Sequence, residues 1–198
     1  MARGLVIGLI VAGVLVAAIL GWAISINNQL VALDQNVNEK WAQVQNVYQR
    51  RADLIPNLVE TVKGFAAQER TVLNEVVQAR ASVAGIKATP ELINDPAAFQ
   101  KFLQAQNQLS GALSRLLVTV ERYPELKSNQ NFLQLQSQLE GTENRITVER
   151  RRFNETTQAY NTKISLFPAS FIASFRGFKP RPYFEATPGS EAPPKVKF

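Results

Sequence analysis

Five charged side chains within eight residues, Arg145, Glu149, Arg150, Arg151 and Arg152, are the densest group in the chain with chemistry to offer. Guanidinium groups gathered in this way suit phosphate or another oxyanion, since each presents a planar fork of donors. The same residues have a structural use. Glu149 falls on the apolar side of a helical pattern, and a carboxylate turned inward needs a cation, which Arg50 or Arg51 of a neighbouring helix would supply. The ion pair is favoured over the partner surface, because an unpaired buried carboxylate is costly.

Catalysis has little else to work with. The 198 residues include no histidine and no cysteine. That removes the commonest general base, the commonest catalytic metal ligand and any thiolate chemistry, and with them the usual zinc hydrolase, the Ser-His-Asp enzyme and the histidine pH switch. Asp34, Asp53, Glu60, Glu69, Glu75 and Glu143 show no Glu-x-x-His pairing of the di-iron kind and read as face charges. Gly64 and Gly141 are isolated, so no glycine-rich phosphate loop is present. The expectation is a non-enzymatic protein with no catalytic residue, no cofactor and no metal site. A net charge of +6 favours acidic partners, anionic lipid among them, but with charged residues at 19% the bias is mild.

What must position these groups begins with an uncharged apolar run from Leu5 to Ile26. Its 22 residues would rise ~33 Å as a helix, enough to cross a ~30 Å hydrocarbon core. A cleaved signal would have a shorter apolar region, which outweighs the passable cleavage site at Ala23-Ile24-Ser25, and a retained transmembrane helix is expected. A lipid anchor is not expected, for lack of a cysteine and of a glycine at position two. Gly4, Gly8 and Ala12 form one series at four-residue spacing, and Gly13, Ala17 and Gly21 form another on a different side. Such spacing lets helices approach closely in lipid, so both faces are candidates for packing in a homo-oligomer. Trp22 is placed as an interfacial anchor.

Arg3 precedes the run, whereas Asn27 to Glu39 carries Asp34 and Glu39 and no basic residue before Lys40. By the excess of positive charge on the inner flank, the amino terminus stays inside and the rest of the chain lies on the outer, periplasmic face; a cytoplasmic body is the alternative.

Beyond the span the apolar period is helical throughout. Leu30, Leu33 or Val37, Trp41, Val44, Val47 with Tyr48, and Leu54 mark an amphipathic helix that can run directly out of the membrane as far as Pro56, where either a kink or a reversal follows. The period resumes through Leu58, Val62, Phe65, Leu73, Val76 and Val83. Asp95-Pro96 is a strong helix start, Tyr123-Pro124 a stop, and Asn129 opens the last long helix. There Phe132, Leu135, Leu139, Thr142, Ile146, Glu149, Phe153, Thr156 and Tyr160 keep the steps of a coiled-coil seam.

A reversal at Pro56 is preferred, giving an all-α elongated up-and-down four-helix bundle of long matched helices. A kink would instead make the first helix a long stalk. The expected organisation is a flank at 1–4, a span at 5–26, a helical domain at 27–166, an aromatic and basic segment at 167–186 and a disordered tail at 187–198. In that segment Phe167, Phe171, Phe175, Phe178, Tyr183 and Phe184 alternate with Arg176, Lys179 and Arg181. They could stack on bases, but in a tethered chain they are expected to dock on the bundle or the membrane surface, with no specific nucleic acid as partner.

Arg50-Arg51-Ala52-Asp53-Leu54-Ile55-Pro56-Asn57-Leu58-Val59, then Val62-Lys63-Gly64, and later Leu139-Glu140-Gly141-Thr142-Glu143-Asn144-Arg145-Ile146 resemble the bacterial LemA family. So do Tyr160-Asn161-Thr162-Lys163-Ile164, Phe167-Pro168-Ala169-Ser170 and Gly177-Phe178-Lys179-Pro180-Arg181-Pro182-Tyr183-Phe184, although Ala169 and Phe175-Arg176 depart from the family's pattern. The resemblance implies a membrane-anchored helical bundle of the bacterial inner membrane, related to a magnetosome-membrane member, with no catalytic residues to carry over. It also implies that Arg50 to Leu58 and Glu140 to Arg145 meet or support one surface. The expected role is a self-associating scaffold that organises or shapes the envelope membrane. The alternative is an adaptor that recruits a membrane enzyme such as a protease, or binds acidic partners.

Overall fold

A computed structural model describes residues 2–185, and every regular element in it is helical. Helix α1 spans Ala2–Phe65, α2 Arg70–Ala84, α3 Pro96–Val120, α4 Pro124–Lys127, α5 Gln130–Ser165 and α6 Ala169–Arg176, with a 3-10 turn at Pro90–Asn94 before α3. The tail expected at 187–198 lies outside the described residues.

The chain does not reverse at Pro56. Helix α1 runs on through it for 64 residues, ~96 Å, and the reversal comes at residues 66–69. A proline inside a helix costs about 3 kcal/mol, in part because the carbonyl four residues earlier loses its donor. Here that carbonyl belongs to Ala52, and Arg80 of α2 donates its Nε–H to it at 3.0 Å. The orphaned acceptor is satisfied from outside the helix.

Other boundaries follow local chemistry. Asp95 accepts from the amides of Ala97 and Ala98 at 2.9 and 3.1 Å, with Pro96 at the first helical position. Asn129 caps α5 by accepting from the Phe132 amide at 3.1 Å.

Helices α1 and α5 form the longest contact and run antiparallel. Trp41 meets Phe153, Arg51 meets Glu143, and Asp34 with Tyr160 flanks Arg181, so each step along α1 is matched by one step back along α5. Helix α2 packs on α1 and α3, and Glu75–Arg115 and Glu69–Arg122 pairs join α2 to α3 and the turn after it. The helices are not matched in length: α2 has 15 residues and α3 has 25, against 36 in α5. On α5 the buried residue after Phe153 is Thr157, while Thr156 is only partly covered. A straight helix of 3.6 residues per turn drifts off a 3.5 repeat, which explains the one-residue slip after three heptads.

Two cores result. One gathers Ile26, Leu30, Val37, Trp41, Val44 and Tyr48 of α1 with Phe99, Phe102, Phe153, Tyr160, Ile164 and Phe184. The other gathers Ile55, Leu58 and Val62 with Leu73, Val76, Leu109, Leu113, Leu116, Phe132 and Leu139.

Candidate functional site

Between the two cores lies a polar layer centred on Arg51, which is 2% exposed. Its position on α1, one turn after Tyr48 and one before Ile55, places it on the buried stripe. The guanidinium donates to Ser110 Oγ at 2.9 Å, to Glu143 Oε1 at 2.8 Å and to Gln106 Oε1. It also lies over the Tyr48 ring, 5.2 Å from the centroid. One buried cation thereby ties α1 to α3 and α5 at a single level. Burial pushes the Tyr48 hydroxyl above its usual pKa, against the pull of Arg150 and Arg51. It remains neutral across the physiological range.

Glu149 does not take Arg50 or Arg51 as its partner. Arg152, one turn along the same helix, meets it at 2.8 Å, and Arg50 is exposed. The carboxylate that meets Arg51 is Glu143, six residues earlier on α5 and 41% exposed, because the one-for-one register sets that residue opposite Arg51. Arg151 and Arg152 stay exposed, 72% and 57% of their side chains open. Arg150 lies over the Phe184 ring at 4.7 Å and donates to the Glu185 carbonyl at 3.2 Å, and Arg151 pairs with Glu155 at 3.7 Å. Arg145 is exposed.

The segment after α6 returns along α5 as an extended strap. Asn161 exchanges two hydrogen bonds with the backbone of Arg181, both at 2.9 Å, and Asn154 does the same with Phe184 at 2.7 and 2.8 Å. Seven residues of helix advance ~10.5 Å, and three residues of extended chain cover about the same length, so two asparagine amides serve two backbone positions in step. Pro180 and Pro182 favour that extended form. Arg181 then reaches Asp34 on α1 at 2.7 Å, and the Tyr160 hydroxyl donates to the Lys179 carbonyl at 3.0 Å. Burial raises the pKa of Tyr160 as well, with Asp34 adding to it.

Of the aromatic residues expected to dock, Phe184 does so fully and Phe178 in part. Phe184 stands against Trp41, Phe99 and Phe153, with ring centroids 5.1–6.3 Å apart. Phe167, Phe171 and Phe175 do not dock on the helical body. They are 87%, 75% and 87% exposed, because Ala169 and Ala173 take the inner face of α6, whereas Tyr183 is 38% exposed.

Residues Val6 to Ile24 bury none of their large apolar side chains, and this stretch of α1 is long and apolar enough to cross a membrane. A Cβ added at Gly4, Gly8, Gly13 or Gly21 would meet nothing within 4 Å, and Ala12 and Ala17 are exposed, so both small-residue faces are open. Trp22 projects from the far end of this stretch, 46% exposed.

Beside the polar layer, Tyr48, Arg80, Lys87 and Gln106 help line a cleft of ≈ 480 Å³ between α1, α2 and α3. Its lining holds no carboxylate, serine or threonine to act as base or nucleophile. Among the described residues no three carboxylates gather as metal ligands would. The residues that sequence patterns passed over are Gln106, Asn154 and Asn161. A glutamine on the apolar stripe of α3 and asparagines seven apart on α5 were the available signals.

The model of the LemA family matches residues 40–198. Magnetosome proteins MamQ 1 and MamQ 2 of Paramagnetospirillum magneticum are each 27% identical to the chain over 96% of its length and 76% of theirs. Magnetosome protein MamQ of Magnetospirillum gryphiswaldense is 28% identical over 84% of the chain and 67% of its own length. An exposed apolar helix leading into a matched helical domain describes a membrane-associated, all-helical protein.

Proposed function

The chain belongs to the LemA family, and from that premise and the geometry above we propose that it is a non-enzymatic scaffold held in a membrane by α1. In this reading α1, α2, α3 and α5 act as one elongated up-and-down bundle, and the first 20 or so residues of α1 cross the bacterial inner membrane once, with the bundle on the periplasmic face.

One observation carries the proposal: α1 has no break between its fully exposed apolar part and the buried stripe that starts at Ile26. A continuous helix without a hinge sets the height and tilt of the bundle relative to the lipid, which suits a scaffold. The open faces of Gly4, Gly8 and Ala12 and of Gly13, Ala17 and Gly21 support self-association through the span. Relatives named for a cellular assembly, rather than for a reaction, support the same reading.

The adaptor alternative draws less from the molecule, because Arg51, Arg150, Arg151 and Arg152 already have partners within the chain. Mass measurement in detergent tests the proposal. Wild type should be oligomeric, and Gly8→Leu or Ala17→Leu should shift it towards monomer; a monomeric wild type would refute self-assembly through the span.

A further inference from the structure

Helix α6 is amphipathic the wrong way round for a surface in water. Its inner face is built from Ala169 and Ala173, 3% and 2% exposed, while Phe171 and Phe175 point outward. Phe167 and Leu166 extend the same outward apolar strip ahead of the helix. Phe171 and Phe175 stand about one helical turn apart on α6, with Leu166 and Phe167 exposed in the turn just ahead of it, so the exposed apolar residues are grouped and not a scatter of single ones.

Its place in the fold says what covers it. By the one-for-one register of α1 and α5, Leu166 lies at the level of Asn28, two residues beyond the end of the apolar run at Ile26. Ile164, Ala169 and Ala173 share their core with Ile26 and Leu30. Just below, Trp22 and Ile24 are exposed on α1 at the depth where a span meets headgroups. Charge agrees. From Lys163 to Phe184 there are four basic residues, Lys163, Arg176, Lys179 and Arg181, and no acidic one, and among the described residues only Arg181 pairs with a carboxylate.

We propose that Leu166, Phe167, Phe171 and Phe175 insert into the headgroup boundary of the bilayer that α1 crosses, making α6 a second, in-plane membrane contact. Apolar side chains of an interfacial helix reach about 5–10 Å into that boundary, and neighbouring cations meet anionic headgroups. The proposal rests on the reading that α1 spans a membrane. Its consequence is orientation: α1 alone leaves the helical body free to turn about the helix axis, and a second contact beside it fixes that angle.

Because the chain has no cysteine, single labels can be placed without background. Spin labels at Phe171→Cys, Phe175→Cys, Ile19→Cys and Val118→Cys would be measured in full-length protein in bilayers of neutral and anionic phospholipid. Each would be tested for collision with oxygen, which concentrates in lipid, and with a water-soluble nickel chelate. Ile19 lies in the apolar run, and Val118 is exposed on α3 near the end of the helical body far from the span.

The expected result is a shift at Phe171 and Phe175 from nickel-favoured to oxygen-favoured collision, towards Ile19 and away from Val118. Labels at these two positions that read like Val118 overturn the proposal while the span reading stands. Protection from both reagents overturns it too, since the face would then be packed on protein, including a second copy. If Ile19 itself reads as aqueous, the span reading and the proposal both fall.

Discussion

On either side of Arg51 the helical body is built from different materials. The half nearer the apolar run packs Trp41, Phe99, Phe102, Phe153 and Phe184 ring against ring, with the strap from Lys179 to Glu185 laid across it. The far half is mainly leucine and valine, closed by the short turns at 66–69 and around α4. Trp41 also donates its indole N–H to the Thr89 carbonyl at 3.1 Å, pinning the loop before α3 to the first half. Rings of fixed shape and a hydrogen-bonded strap give orientation, whereas aliphatic packing is more tolerant of repacking. The more shape-specific packing is concentrated where the chain leaves the apolar run.

The sharpest way to break this contrast is Trp41→Ala, which removes the residue shared by more of the aromatic pairs than any other. It should cost about 3–5 kcal/mol, and more than Leu113→Ala in the far half, in chemical unfolding of the detergent-solubilised protein. Equal costs would mean the two halves are equivalent.

Next comes the layer that divides them. Arg51→Ala should cost about 2–4 kcal/mol, because Gln106 and Ser110 lose their donor together and Glu143 loses its counter-charge. The double variant Arg51→Met with Gln106→Leu should cost less than the single one, since the buried Gln106 amide is no longer orphaned and the partly exposed Ser110 and Glu143 can turn to water. A double variant as damaging as Arg51→Ala would show that the layer does more than set register.

A smaller effect tests the far half. Arg80→Ala should cost about 1 kcal/mol in the natural sequence and close to nothing beside Pro56→Ala, because the Ala52 carbonyl then regains a donor in its own helix. The same loss in both backgrounds would separate Arg80 from the proline.

The smallest concerns pH. Tyr48 and Tyr160 have pKa values raised by burial in the folded chain, so the folded state holds its protons above pH 10, where the unfolded state releases them. Stability is therefore full below the usual tyrosine pKa and falls as pH rises through the folded values. Tyr48→Phe should flatten that alkaline decline in a pH series of unfolding midpoints, and an unchanged slope would exclude Tyr48 as its source.

Much of the fold could be read from local chemistry, because its signals are local. Asp95-Pro96 and Asn129 announce their helices, and Leu5 to Ile26 announces an apolar helix by length alone. Pro56 misleads because its cost is offset by Arg80, 28 residues along from the Ala52 carbonyl that it reaches, which no local pattern reveals. Glu149 misleads because periodicity shows which face a residue occupies and not which residue stands opposite; the register that selects Glu143 is set by the packing of whole helices. For Phe171 and Phe175 the sequence leaves docking on the bundle or on the membrane surface open, and the bundle is excluded because Ala169, Ile172 and Ala173 take the inner face of α6.

The central claim, that one unbroken helix carries the body rigidly on the apolar run, can be tested by a single distance. Spin labels at Ile19→Cys and Asn46→Cys, 27 residues apart on α1, should lie about 40 Å apart in a bilayer, with a narrow distribution measured by pulsed electron–electron resonance. A broad distribution centred at shorter distances would mean a hinge where the chain leaves the membrane, and would contradict the account.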